Sequence, residues 1–214
     1  MRKMIADVLA FHERFRCHVG DLSSPKIYNG AFRAAFIVEE TKETAAALEA
    51  EDAIEIVDGL CDTLYVTIGT AIEFGIDLSG WEFDHVDRPE PGMRLIEYKG
   101  EWAHDIQRVG ILVAEEIVSG GTIGNITIGL ETLVRVVNRA CETWGIDIRP
   151  FWAEVQRSNL AKVPSGSINV KTIKPPGWTP PRMAPILLKQ YGLSLTEKFL
   201  AQLEEPGVFA KVRP

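Results

Sequence analysis

Carboxylates at helical spacing crowd one stretch of the sequence, Glu39 to Asp62, which reads EETKETAAALEAEDAIEIVDGLCD. On a helix, residues three or four apart share a face. Glu40 with Glu43, Glu39 with Glu43, and Glu55 with Asp58 therefore each make a two-carboxylate clamp, and Asp62 stands one turn beyond Asp58. Eight acids and one lysine between Glu39 and Asp58 give a local charge of −7, equal to the formal net charge of the whole 214-residue chain. Like charges held this close raise one another's pKa unless a cation sits among them. Divalent metal ions, a basic partner segment or water are the three ways to neutralise the cluster. Hard oxygen ligands at this density suit Mg²⁺ or Mn²⁺, ions that keep several waters and complete their shell with substrate phosphates.

A Glu-rich helix is commonly a solvated face, and Glu49 and Glu51 read that way. Glu55, Asp58 and Asp62 differ because they lie within EIVDGLCDTLYV, where the flanking residues are apolar nearly all round. Burying three acids without a cation costs several kcal/mol each. The apolar run before Glu39 and Glu40 points the same way.

The elements that must hold these acids follow from periodicity. Met4, Val8, Leu9, Phe11 (or His12) and Phe15 predict an amphipathic helix over 2–16, and by composition His12 and His18 read as polar rim rather than ligands. The segment from Gly20 to Gly30 reads as a loop. A second helix begins near Ala31 and reaches about Leu48. A third starts near Ala53, with Asp52 as N-cap and Glu55 at the capping-box spacing, and stops at Gly75. Two antiparallel helices about 8 to 10 Å apart bring the two sets of clamps to opposite sides of one pocket. A short helix is expected around Trp81 to Val86, then a connector rich in proline, glycine and mixed charge. Another helix runs from Glu101 to about Val118. GTIGNITIG then marks the next helix start only weakly, near Asn125.

The chain repeats itself. Gly59, Leu60, Val66, Gly75, Ile76 and Asp77 recur seventy residues later as Gly129, Leu130, Val136, Gly145, Ile146 and Asp147, with Val86 and Arg88 recurring as Val155 and Arg157 after a one-residue shift. LVAEE at 112–116 echoes FIVEE at 36–40. Internal duplication predicts two related helical halves packed as a pseudo-dimer. The halves differ in chemistry. Asn125 and Ile128 stand where the first half has Glu55 and Asp58, and RSNLAK at 157–162 has no counterpart in the first half. From Arg157 to Arg182 there are five basic residues and no acid. KPPGWTPP cannot be helical, because its prolines lack donors and bias their predecessors to extended backbone, so it reads as a strap over a surface.

A concentrated negative charge argues against a non-specific nucleic-acid binder, which needs a basic face. Cys17, Cys61 and Cys141 are distant and odd in number, suggesting neither a disulfide framework nor a zinc site, and a reducing cytoplasm is the expected compartment. No apolar run has the length of a signal peptide or a membrane span. GTIGN lacks the GK[ST] end of a phosphate loop. The five tryptophans read mostly as packing, with Trp178 in the strap placed to cover a base.

The pattern EExxE, spacer, ExxD, as Glu39-Glu40-Thr41-Lys42-Glu43 followed by Glu55-Ile56-Val57-Asp58, resembles the signature of the all-α nucleoside triphosphate pyrophosphohydrolases, the MazG-like superfamily. DVLAFHERF, EIVDGLCDTLYVTIGTAIEFGID, FWAEVQRSNLAK and KPPGWTPP resemble successive blocks of its phosphoribosyl-ATP-pyrophosphohydrolase-like and Cof-like bacterial and phage branch. The resemblance implies an all-α helical bundle with an extended proline-rich C-terminal strap. Here 1–88 would be a helical half carrying the acidic motif, 89–101 a connector, 102–162 a degenerate second half ending in SNxxK, and 163–214 the strap and a C-terminal helix. It implies that Glu40, Glu43, Glu55 and Asp58 hold Mg²⁺ or Mn²⁺, and that Glu39 orients or deprotonates a water. Asn159, Lys162, Lys174 and Asp62 would bind substrate. The implied reaction cleaves a (deoxy)nucleoside triphosphate between the α- and β-phosphates, with no nucleic-acid or membrane partner, in a monomeric pseudo-dimer or a homodimer. Hydrolysis of phosphoribosyl-ATP or another nucleotide is the alternative within enzymes. A non-catalytic nucleotide-binding or scaffolding module is the alternative outside them.

Overall fold

The fold is drawn from a computed structural model of the chain, which describes residues 1–81, 99–165 and 171–191. Among the described residues it is all-helical, with α1 (Arg2–Phe15), α2 (Gly30–Ala50), α3 (Ala53–Phe74), α4 (Lys99–Val118), α5 (Ile123–Trp144), α6 (Ile148–Leu160) and α7 (Met183–Tyr191). One isolated antiparallel bridge joins Val163 to Ile173. The helix expected at 81–86, most of the connector and the end of the C-terminal segment lie outside the described residues.

α3 is the axis of the molecule. Its sequence is apolar nearly all round, and a helix of that kind must be surrounded. It packs against α1, α2, α5, α6 and α7, while α2 lies on α4 and α4 on α5. The Asp52 carboxylate accepts from the backbone N–H groups of Ile54 and Glu55, both at 3.1 Å, satisfying two of the orphan donors at the helix start. At the other end Gly75 turns left-handed at φ 71°, and Ile76 N donates to Ala71 O at 2.8 Å.

α5 has the same construction seventy residues on. It is also 22 residues long, starts on a Thr122 cap that accepts from Asn125 N, and ends on a left-handed Gly145 with Ile146 N donating to Cys141 O at 2.8 Å. The Thr122 cap places the start two residues before Asn125, because the hydroxyl serves a backbone donor that the glycine-rich composition does not reveal. Both helices also use a glycine to approach their partner. A methyl group on Gly59 would lie 2.6 Å from Thr44 Oγ1 and 3.0 Å from Thr44 Cα, and one on Gly129 would lie 2.6 Å from a Val113 methyl. The FIVEE and LVAEE segments, however, stand at different heights. Glu40 lies ten positions before the end of α2, Glu116 only two before the end of α4.

His12 is not on a polar rim. It is buried, 2 % exposed, with Nδ1 bonded at 2.8 Å to His18 O from the turn that follows α1. His18 in turn stacks on Tyr28. His12 continues the buried face of Met4 and Val8 at four-residue spacing, and the turn after α1 supplies the acceptor that its ring needs there.

The elements carrying the site are locked by long-range polar contacts. Tyr65 OH of α3 donates to Gln156 Oε1 of α6 at 2.9 Å, Gln156 Nε2 donates to Asp7 O of α1 at 2.7 Å, and Trp152 Nε1 donates to the Asp7 carboxylate at 2.9 Å. The strap is tied to α6 by Trp178 Nε1 donating to Ser158 O, Arg157 to Pro180 O, and Arg182 to the Glu154 carboxylate.

Candidate active site

α2 and α3 run antiparallel through a two-residue connection at 51–52, so the acids of one face those of the other. Thr44 sets the spacing. Its hydroxyl shares a hydrogen bond of 3.0 Å with Thr63 Oγ1, and its backbone rests on Gly59. One turn away on either helix stand Glu40 and Asp62.

A cleft of about 410 Å³ opens beside this contact. Seven of the nine residues singled out from the sequence line it: Glu39, Glu40, Glu43, Asp62, Asn159, Lys162 and Lys174. Glu55 and Asp58 are not among its lining residues, but Asp58 feels Glu43, Glu55, Lys162 and Lys174 through the electrostatics of the cluster. α6 delivers Asn159 one turn after the anchored Gln156, and Lys162 Nζ donates to Asn159 Oδ1 at 2.7 Å.

Burial pushes the Glu40 carboxyl up to about 7, with Glu43 and Glu39 adding to the rise and Lys171 and Lys162 opposing it. Asp58 and Asp62 are raised for the same reasons, burial first and then the neighbouring carboxylates. The Lys162 ammonium is lowered by burial despite Asp62, Glu40 and Asp58. In addition, Asp58 Oδ1 is buried with no hydrogen-bond partner. Among the described residues no three His, Cys, Asp or Glu side chains stand together as a ready metal site. The donor set nevertheless fits a hard divalent cation: charge-raised carboxylates and an orphaned buried oxygen are what such an ion relieves.

Two lysines frame the mouth. Lys174 lies 4.4 Å above the Trp178 ring, so that indole, with its N–H on Ser158 O, is packed on α6 under a lysine. Lys171 forms an ion pair with Glu39 and lies 5.6 Å from the Phe36 ring centroid. Lys171 is one of the five basic residues between Arg157 and Arg182, and no local pattern gives it a role. Arg33, Glu73 and Tyr65 line the same cleft without belonging to the acidic motif. The signal for Arg33 and Glu73 was available: each is a lone charge in an apolar stretch of its helix, and such charges need partners.

Comparison with known proteins bears on this region alone. The family model described as phosphoribosyl-ATP pyrophosphohydrolase matches residues 10–89, which hold α2, α3 and the six acids singled out as site residues, Glu39, Glu40, Glu43, Glu55, Asp58 and Asp62. Neither curated proteins nor solved structures give a significant match. Residues 10–89, less than half of the chain, are thus similar to the phosphoribosyl-ATP pyrophosphohydrolase family of the MazG-like nucleotide pyrophosphohydrolase superfamily.

Proposed function

We propose that this protein is a Mg²⁺-dependent nucleoside triphosphate pyrophosphohydrolase, converting a (deoxy)nucleoside triphosphate and water into the monophosphate and pyrophosphate, in nucleotide-pool control or house-cleaning. The observation that carries the reading is the cleft itself, in which acids driven toward protonation by burial face Lys162, Lys171 and Lys174. Divalent-metal dependence is general in the superfamily. Glu40, Glu43, Glu55 and Asp58 are the residues that would hold Mg²⁺ or Mn²⁺. Bound there, the ion would polarise the phosphates and acidify a water.

The chain's own groups do the rest. Lys162 and Lys174 neutralise phosphate charge. Asn159 has its Oδ1 engaged by Lys162, so its amide NH₂ is what it offers a phosphate oxygen. Asp62 holds Lys162 in the cleft electrostatically. Glu39 pairs with Lys171 until a triphosphate competes for that lysine, which frees the carboxylate to take a proton from the attacking water. The water oxygen bonds to the α-phosphorus as the bond from that phosphorus to the α,β-bridging oxygen breaks, and pyrophosphate leaves.

We infer one such site per chain. In the second half Ile128 is 63 % exposed and Asn125 donates to Glu116 Oε1 at 2.8 Å, so the positions matching Asp58 and Glu55 serve no acid cluster.

The test is a panel of ribo- and deoxyribonucleoside triphosphates, with phosphoribosyl-ATP included, assayed with Mg²⁺ for pyrophosphate and for orthophosphate. Pyrophosphate from a triphosphate supports the reading. Turnover of phosphoribosyl-ATP alone moves the substrate, and nucleotide binding without any turnover replaces the enzyme with a binding module.

A further inference from the structure

The cleft does not end at the carboxylates. It continues along α2 and α3 to Arg33, Gly69 and Glu73, where His12 of α1 and Cys17, just past its end, close it. Arg33 precedes Glu40 by seven residues, two helical turns or about 10 Å, a span comparable to the nucleoside part of a nucleotide.

This end is built for recognition rather than for charge. The Arg33 guanidinium is buried and oriented on three sides: Nε donates to Thr70 Oγ1 at 3.1 Å, Nη2 to Val66 O at 2.7 Å, and Nη1 lies 3.5 Å from Glu73 Oε1. Glu73, its side chain only 7 % exposed, keeps its other oxygen, Oε2, with no partner at all. His12 supplies a second acceptor. Its Nδ1 faces a peptide oxygen, which can only accept, so the proton is on Nδ1 and Nε2 presents a lone pair. Burial keeps that ring neutral. Gly69 lets these groups pack close: a methyl there would meet Arg33 Nη2 at 2.7 Å and His12 Nε2 at 3.5 Å, so the guanidinium and the imidazole both sit against this glycine. Aromatic rings form the walls, Phe32 against Phe36 on one side and Phe11 against Tyr65 on the other.

A flat ring fits such a slot, and the polar floor specifies its edge. Two acceptors, Glu73 Oε2 and His12 Nε2, call for a group with two N–H bonds, which an exocyclic amino group has. The adjacent guanidinium calls for a ring acceptor beside it. A carbonyl at the amino position would set lone pair against lone pair, leaving the buried carboxylate unpaired. We propose that the Arg33, Glu73 and His12 end of the cleft is a nucleobase pocket selecting an amino group next to a ring-nitrogen acceptor, the pattern of cytosine and adenine, over the carbonyl pattern of thymine and uracil. This rests on the reading that the acidic end takes the phosphates.

Titration calorimetry with dCMP, dAMP and dTMP, without metal, tests it on the unaltered protein. Amino-base monophosphates are expected to bind at least about tenfold tighter than dTMP, and Glu73→Gln, which exchanges an acceptor for an amide, to erase that ratio. Equal affinity for the three, or an unchanged ratio in a folded Glu73→Gln, overturns the proposal. The wild-type comparison stands even where the variant fails to fold. Hydrolysis of all bases at one rate with equal binding would leave the pyrophosphohydrolase reading intact and remove this one. Amino-base preference in binding, with no turnover, would do the reverse.

Discussion

Glu39 on α2 and Lys171 in the strap, 132 positions apart, form an ion pair at the mouth of the cleft. The pair joins the carboxylate assigned to the attacking water with a cation that comes from outside the acidic motif. Both partners are substantially solvated, so the contact is a poor source of stability and a good candidate for exchange with a phosphate. Lys171→Ala is expected to raise KM for the triphosphate about tenfold with a smaller effect on kcat. An unchanged KM in steady-state kinetics would leave Lys171 as a surface lysine.

Lys162 reaches the acids from just past the end of α6, a hundred positions beyond Asp62, and Glu40, Asp58 and Asp62 all bear on its charge. Lys162→Ala should lower kcat/KM about a hundredfold, the scale of losing one charge-stabilising donor in a water-poor site. Because burial already lowers this ammonium, the variant should not melt lower than the parent. A full rate in the variant means that α6 does not complete the site.

The metal-free protein should carry an electrostatic penalty that grows with pH. An unfolded Glu40 loses its proton near pH 4.5, whereas the folded carboxyl holds it up to about 7, so between these values the folded state binds more protons and stability falls as pH rises. Asp58 and Asp62 act in the same direction. His12 acts oppositely: held neutral down to about 4, it costs stability as pH falls from 6.5 toward that value. Comparing Glu40→Gln with the parent at each pH in chelator separates the two. The variant is expected to be more stable at pH 8 by about 1–3 kcal/mol and equal at pH 5. Equal melting temperatures at pH 8 would mean that Glu40 is not under strain.

Gly59 is where α3 touches α2. Its replacement by alanine forces a methyl into Thr44, moving the helix that carries Glu40 and Glu43 away from the one that carries Asp58 and Asp62. An overpacking loss of about 1–3 kcal/mol is expected, with activity falling along with stability. Thermal melting reads the first directly, and an unshifted midpoint would show that the contact has slack.

The boundaries of α3 were legible because its signals are local: Asp52 caps from its own side chain and Gly75 ends the helix by its own φ. The acids on one face of α2 were equally legible, since spacing alone places them. What the sequence does not encode locally is what meets a side chain from elsewhere. His12 reads as polar rim by its residue type although it shares the face of Met4 and Val8, because its partner, His18 O, comes from a turn without periodicity. Lys174 is named through the resemblance, but nothing local singles out Lys171, because an extended strap has no face until it is laid on something. Arg33 and Glu73 pair across two helices through one carboxylate oxygen, a contact visible only once α2 and α3 are placed side by side.

The chemistry reduces to which phosphorus the water attacks. Turnover of a nucleoside triphosphate with Mg²⁺ in oxygen-18 water, followed by mass spectrometry of both products, reads this directly. The label is expected in the nucleoside monophosphate, with unlabelled pyrophosphate. Label in pyrophosphate, or in orthophosphate released ahead of it, would place the attack on another phosphorus and contradict the roles given to Glu39, Lys162 and Lys171.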